Sequence, residues 1–330
     1  MDRTLEPQLG DPVGPSGEMY SRHNVLLPLA LAPFYRLAGL AGVLVAMAAL
    51  AAALVWATLG LAMTYRLLDP TGSLWAYGIL AFTAPLLLYS YQVWVEVPAA
   101  LLTVLGLTLI LRAADEKSHN WSTWVRIGLP ILALPFLKIR FVLLAGSLVI
   151  LASWHAGGGR ARRRTALLLA LLGGVTASIL LFNRFFFQNP LKYHDIDGLR
   201  AYAESPITYL KGFLGLFYDC AFGLFAFAPI WFLIVPAFLL LWNRHRRVLM
   251  DSLLVLTPYL MLLAPRGEWF GGWSPPFRYG VIALPFMALW LIPLLSDRER
   301  GGRRFLIAAL GAATLALTLL WIVEPGWTYN

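Results

Sequence analysis

The chain has 330 residues, 59% of them hydrophobic and 13% charged, with a net charge of +9 and a mean hydropathy of +0.70. Soluble domains carry about 25% charged residues, so this composition excludes an ordinary soluble enzyme. Apolar runs recur from end to end and describe an all-α, polytopic transmembrane helical bundle. The basic residues fall largely in short clusters between those runs, the pattern of topology determinants and not of a nucleic-acid-binding face. The single cysteine, Cys220, excludes an intrachain disulfide and a multi-cysteine metal site, and reads as a small buried residue.

Residues 1–24 are polar, rich in Pro and Gly, and carry no signal peptide; they read as an outer polar loop. Residues 25–38 are apolar but short and interrupted by Pro28 and Pro33, which suits an interfacial or half-inserted helix. About ten spans are expected after it, near 41–64, 73–91, 95–113, 122–137, 139–154, 165–184, 223–242, 248–265, 278–295 and 304–323. Spans 1–6 occupy 41–184 and spans 7–10 occupy 223–323, with an outer loop at 185–222, so 1–330 forms a single membrane domain. Lys138 and Arg140 sit at the join of the two short halves of 122–154. One long span would bury both cations, so a helical hairpin that leaves them at a membrane edge is expected.

Three basic clusters set the orientation: Arg160 with Arg162 to Arg164, Arg244 with Arg246 and Arg247, and Arg298 with Arg300, Arg303 and Arg304. The positive-inside bias puts them in the cytoplasm, and ten alternating spans place all three on one side. The other side then receives the Tyr89–Glu96 turn, Lys138 and Arg140, the 185–222 loop and the stretch from Pro265 to Tyr279. No tandem repeat is visible.

Several groups on that side carry chemistry. Glu96 lies at the start of a span between valines, where a carboxylate either caps the helix or serves a site. Lys138 and Arg140 suit a phosphate headgroup at the bilayer surface, or snorkel from helix ends. In the outer loop, His194, Asp195 and Asp197 are potential hard-metal ligands or a solvated polar run, and Ile207–Phe217 resembles a helix lying on the membrane surface. Asp219 follows just before a span; it is either a base or hydroxyl binder, or a cap. Arg278 opens a span, where a cation is unfavourable, and so asks for an anionic partner. Trp269 and Trp273 are belt residues or stack on sugar rings, and Gly271-Gly272 between them allow close backbone approach. No Walker A, Rossmann fingerprint, HExxH or partnered GxSxG site occurs.

Four stretches together resemble the GT-C superfamily of polytopic membrane glycosyltransferases, in the bacterial branch of protein mannosyltransferases and of lipid A and lipopolysaccharide sugar transferases. They are Tyr20–Asn24 with Leu27-Pro28, Tyr89–Val93 with Glu96 and Pro98, Phe217–Asp219 with Phe222–Leu224 and Ala228-Pro229, and Trp269–Tyr279. The resemblance implies an inverting transfer of a hexosyl or pentosyl unit from a polyprenyl-phosphate donor to a lipid, glycan or protein acceptor. The chain would be multi-pass in the bacterial inner membrane, with its site facing the periplasm or exterior. On this reading Lys138, Arg140 and Arg278 hold the donor phosphate, and Asp219 and Glu96 are the catalytic or acceptor-binding carboxylates. His23, Trp269 and Trp273 shape the sugar site, and a divalent metal is compatible with the chemistry. The family's first helix and the acidic motif after it have no counterpart before His23, where only Asp2, Glu6, Asp11 and Glu18 occur. An upstream extension encoding that helix and an acidic pair is therefore expected. The alternatives are a carrier or flippase for a lipid-linked glycan, and a non-catalytic subunit of envelope glycan assembly.

Overall fold

The computed structural model describes residues 24–117, 120–187, 190, 206–265, 269–272, 274–296 and 301–324, which form helices and turns with no strand among them. His23, Trp273, the 1–23 loop, the His194–Asp197 run, Arg298 and Arg300 lie outside the described residues, as do the side chains of Arg303 and Arg304.

Helix α1 (Leu26–Thr64) is one continuous assignment with a break inside it. Gly39 takes φ 59 and ψ −143, a conformation that glycine reaches without steric cost, and Ala38 beside it is also non-helical. The break separates the short apolar segment expected at 25–38 from the long span after it. Asp69 then caps α2 (Pro70–Phe82): its carboxylate accepts from the Gly72 amide at 2.6 Å, and Pro70 fills the first helical position. Thr83 is extended and Pro85 follows, so the apolar run restarts only as the single turn α3 (Leu86–Tyr89). Next come α4 (Glu96–Asp115) and α5 (Trp121–Leu137). Lys138 is extended, a 3₁₀ turn covers Ile139–Phe141, and α6 (Val142–Ala156) returns antiparallel to α5. This is the hairpin expected around Lys138 and Arg140.

The second half holds α7 (Gly159–Phe187), α8 (Pro206–Tyr218), the single turn α9 (Leu224–Phe227), a 3₁₀ stretch Pro229–Leu233, α10 (Ile234–Arg244) and α11 (Arg246–Leu263). A 3₁₀ stretch Arg278–Ala283 leads into α12 (Leu284–Ser296), and α13 (Gly301–Val323) follows. The apolar segments lie where the runs place them, but the count of ten spans does not hold. Among the described residues five helices are long and apolar enough to cross a membrane: Leu26–Thr64, Glu96–Asp115, Gly159–Phe186, Arg278–Ser296 and Phe305–Val323. A span needs about 20 residues at 1.5 Å each, and the others fall short or are too polar. Breaks at Thr83 and Ala228-Pro229 cut two of the expected spans, and Arg246, Arg247 and Asp251 make α11 too polar.

Burial sorts these helices. The Arg278–Ser296 window is 89% buried and Glu96–Asp115 is 67% buried, so α12 and α4 form the centre. Helix α4 packs on α1, α5 and α6, while α12 packs on α2 and α10. The outer surface carries large apolar side chains such as Leu37, Trp56, Trp154 and Phe305, each at least three-quarters exposed. Such a surface belongs in lipid, and the chain is a helical membrane protein.

Helix α13 shows how breaks inside an apolar bundle are tolerated. In hydrocarbon a freed backbone N–H has no water to bond. Thr314 and Thr318 lie one turn apart on α13. Thr314 Oγ1 accepts from the Ile230 amide at 2.8 Å, and Thr318 Oγ1 accepts from the Ala84 amide at 3.0 Å. The two breaks that end the expected spans are thus satisfied by one helix.

Helices α4 and α6 run parallel from the Glu96–Arg140 pair, and α11 runs antiparallel to both, which gives the bundle two polar ends. At one end Asp251 joins three helices: it accepts from the Tyr65 hydroxyl at 2.9 Å and lies 3.0 Å from His155 Nε2, with Arg247 3.9 Å away. Burial, reinforced by Asp251, raises the Tyr65 phenol well above its ordinary pKa. At the opposite end stand Glu96, Lys138, Arg140 and Arg278.

Candidate functional site

The site grows from three helix junctions. Val93 and Trp94 lead from the α3 turn into α4, so Glu96 falls in its first turn. The break between α5 and α6 presents Lys138 and Arg140. The loop before α12 ends at Arg278. These junctions come together because α4 packs on α6 and on the 3₁₀ stretch that Arg278 opens.

Glu96 is fully buried, and its Oε1 accepts from both arginines: from Arg140 Nη2 in a close ion pair, and from Arg278 Nε at 3.1 Å. Arg278 Nη1 also donates to the Gly271 carbonyl at 2.8 Å. Aromatic rings flank the cations. The Arg278 guanidinium lies 3.7 Å from the centre of the Trp94 indole, and the Tyr279 ring stands between the arginines, 4.6 Å from Arg140 and 5.5 Å from Arg278. Lys138 is half-buried, and its charge acts on Glu96 together with those of the two arginines. Among the described residues the cluster thus gathers three cations around the carboxylate of Glu96.

The anionic partner that Arg278 requires is internal in part: it is Glu96, 182 residues away. Glu96 itself is neither a free cap nor an exposed base. It is enclosed, and its visible work is to hold two guanidiniums in place.

A second layer supports the loop that carries Arg278. Asp219 Oδ1 accepts from the Ala221 and Phe222 amides at 2.8 and 2.9 Å, which is the capping reading of this residue. The turn it shapes aims the Phe222 carbonyl at the Phe277 amide, 3.0 Å away. Phe277 takes φ 60 and ψ 28, a left-handed conformation that costs a bulky residue about 1–3 kcal/mol. That hydrogen bond and the burial of its ring near Phe217, at 5.7 Å between ring centres, hold it there. Trp269 lies over Gly215 of α8, where any side chain would strike the indole, and meets Phe270 edge-on at 5.8 Å. Helix α8 covers the stretch Ile207–Phe217 and acts as a floor for the loop. Cys220 is exposed and not buried, because the Asp219 turn points the backbone amides inward and leaves the thiol outside.

Four of the expected site residues, Glu96, Lys138, Arg140 and Arg278, thus form one cluster, while Asp219 and Trp269 belong to the layer beside it. Among the described residues no three His, Cys, Asp or Glu side chains could hold a metal ion. Sequence reasoning passed over Tyr259, a buried phenol on α11 in the same cluster, and Asp251 at the other end. Both stand on α11, inside the apolar run at 248–265, and a polar group in such a run is the signal that could have found them.

The fold and the cluster define a helical membrane protein with a buried, cation-rich site at one end. No protein-family model, curated protein or solved structure matches the chain.

Proposed function

We propose that the protein is a GT-C-like membrane glycosyltransferase. It takes a sugar from a polyprenyl-phosphate donor and passes it to a lipid, glycan or protein acceptor at the outer membrane face. One observation supports the reading: Lys138, Arg140 and Arg278, three anion-binding side chains from two separate junctions, converge around Glu96 at a helix end. A lipid phosphate meets these side chains at the depth where helix ends and polar loops lie. Arginine offers paired donors and lysine a compact charge. Glu96 then acts as the positioning carboxylate. Asp219 is half-exposed, and among the described residues near the cluster it offers a carboxylate for acid–base work or acceptor binding.

The test is transfer or hydrolysis of labelled polyprenyl-phosphate hexoses and pentoses by the purified protein in nanodiscs. Turnover that falls at least tenfold in Lys138→Ala supports the reading. Binding of polyprenyl phosphate without any turnover supports the second reading, a carrier or non-catalytic assembly subunit, which the enclosure of Glu96 favours. Neither binding nor turnover overturns both.

A further inference from the structure

Glu96 uses its two oxygens unequally. Oε1 receives both arginines, whereas Oε2 is buried and accepts no hydrogen bond from any described residue. The Tyr259 hydroxyl on α11 is in the same condition: the residue has no exposure and its oxygen has no partner among the described residues. The two belong to one neighbourhood. Helix α11 packs on the Arg278–Ala283 stretch, and the Tyr259 ring lies 5.8 Å from Phe141, the neighbour of Arg140. The charges of Arg140, Glu96 and Arg278 all bear on the Tyr259 hydroxyl.

An unmade hydrogen bond on a buried polar atom costs about 1–3 kcal/mol, and more on a charged one. Native structures leave few such atoms unsatisfied. The usual remedy is an internal water with two to four polar partners. The chemistry of the pair suits that remedy. A carboxylate oxygen accepts only, a phenol both donates and accepts, and water can give to the first while receiving from the second.

We propose that Glu96 Oε2 and the Tyr259 hydroxyl form a small internal hydration site, in which one water donates to the carboxylate and accepts from the phenol. Tyr259 is thereby a positioning residue. It fixes the second oxygen of Glu96, and so fixes the direction in which Oε1 presents Arg140 and Arg278. The site is independent of which anion the cations receive.

The test compares the wild-type chain with Tyr259→Phe, which keeps the ring and its packing. Density maps of water-resolving quality from the protein in nanodiscs should show one water within hydrogen-bonding distance of both atoms. It should be lost in Tyr259→Phe. The infrared difference spectrum between the two proteins should contain a shifted carboxylate stretch, which a change of packing alone would not produce. Tyr259→Leu supplies the packing control and should lower the melting temperature more than Tyr259→Phe does. A protein atom bonded to Glu96 Oε2, or a difference spectrum with no carboxylate band, overturns the proposal.

Discussion

The guanidinium of Arg278 sits over the indole of Trp94, 3.7 Å from its ring centre, while its Nε donates to Glu96 two residues further along the chain from that tryptophan. One side chain thus bonds both the junction before α4 and its first turn. Stacking needs a flat cation, and the bonds to Glu96 and Gly271 need a fork of donors. Arg278→Lys keeps the charge and loses both. We expect it to weaken binding of polyprenyl phosphate at least tenfold. Trp94→Leu removes the stacking alone, and should cost about 0.5–2 kcal/mol of stability, read from thermal unfolding of both variants.

Glu96 pairs with the buried Arg140 and the part-buried Arg278, so its removal is predicted to be worse than the loss of an ordinary ion pair. Glu96→Ala leaves Arg140, itself 4% exposed, beside Arg278 with no carboxylate between them. Breaking a buried pair from one side costs about 3–5 kcal/mol. Unfolding in detergent should show a loss of that size. Replacing Arg140 and Glu96 together by apolar residues of similar volume should recover part of it, because no buried charge of that pair is then left uncompensated.

Thr314 and Thr318 offer a prediction remote from the site. Valine has nearly the same shape but cannot accept a hydrogen bond. Thr314→Val orphans the Ile230 amide, and Thr318→Val orphans the Ala84 amide. Each should destabilise by about 1–3 kcal/mol. The double variant should detach α13 locally, which faster amide exchange at Ala84 and Ile230 would reveal. Unchanged exchange at both amides would show that the threonines do not hold those breaks.

Much of this architecture is legible in the chain. The apolar runs became helical at their expected places, two of them in pieces, because a hydrocarbon surrounding forces the backbone to satisfy itself within the segment. Glu96, Lys138, Arg140 and Arg278 stood out as ionisable residues at the ends of apolar runs, where charge is costly. Span lengths were less legible. The break at Thr83 and the one at Ala228-Pro229 turn two of the expected spans into shorter pieces, and whether a helix continues past such a point depends on partners elsewhere. Here those partners are Thr314 and Thr318, 84 and 234 residues away from the amides they receive. The Asp251 cluster was hidden for the same reason: Tyr65 is 186 residues from it and His155 is 96.

Arg278 marks the division most clearly. Its residue type, its place at the head of an apolar run and its need for an anion follow from the chain alone, since local composition fixes where charge meets hydrocarbon. The identity of that anion does not. Only the packing of α4 against the Arg278–Ala283 stretch brings Glu96 to it, and only the α5–α6 hairpin adds Arg140 to the same oxygen. Helices form from short-range pattern, whereas the charges that balance one another inside a bundle are chosen by how the helices pack.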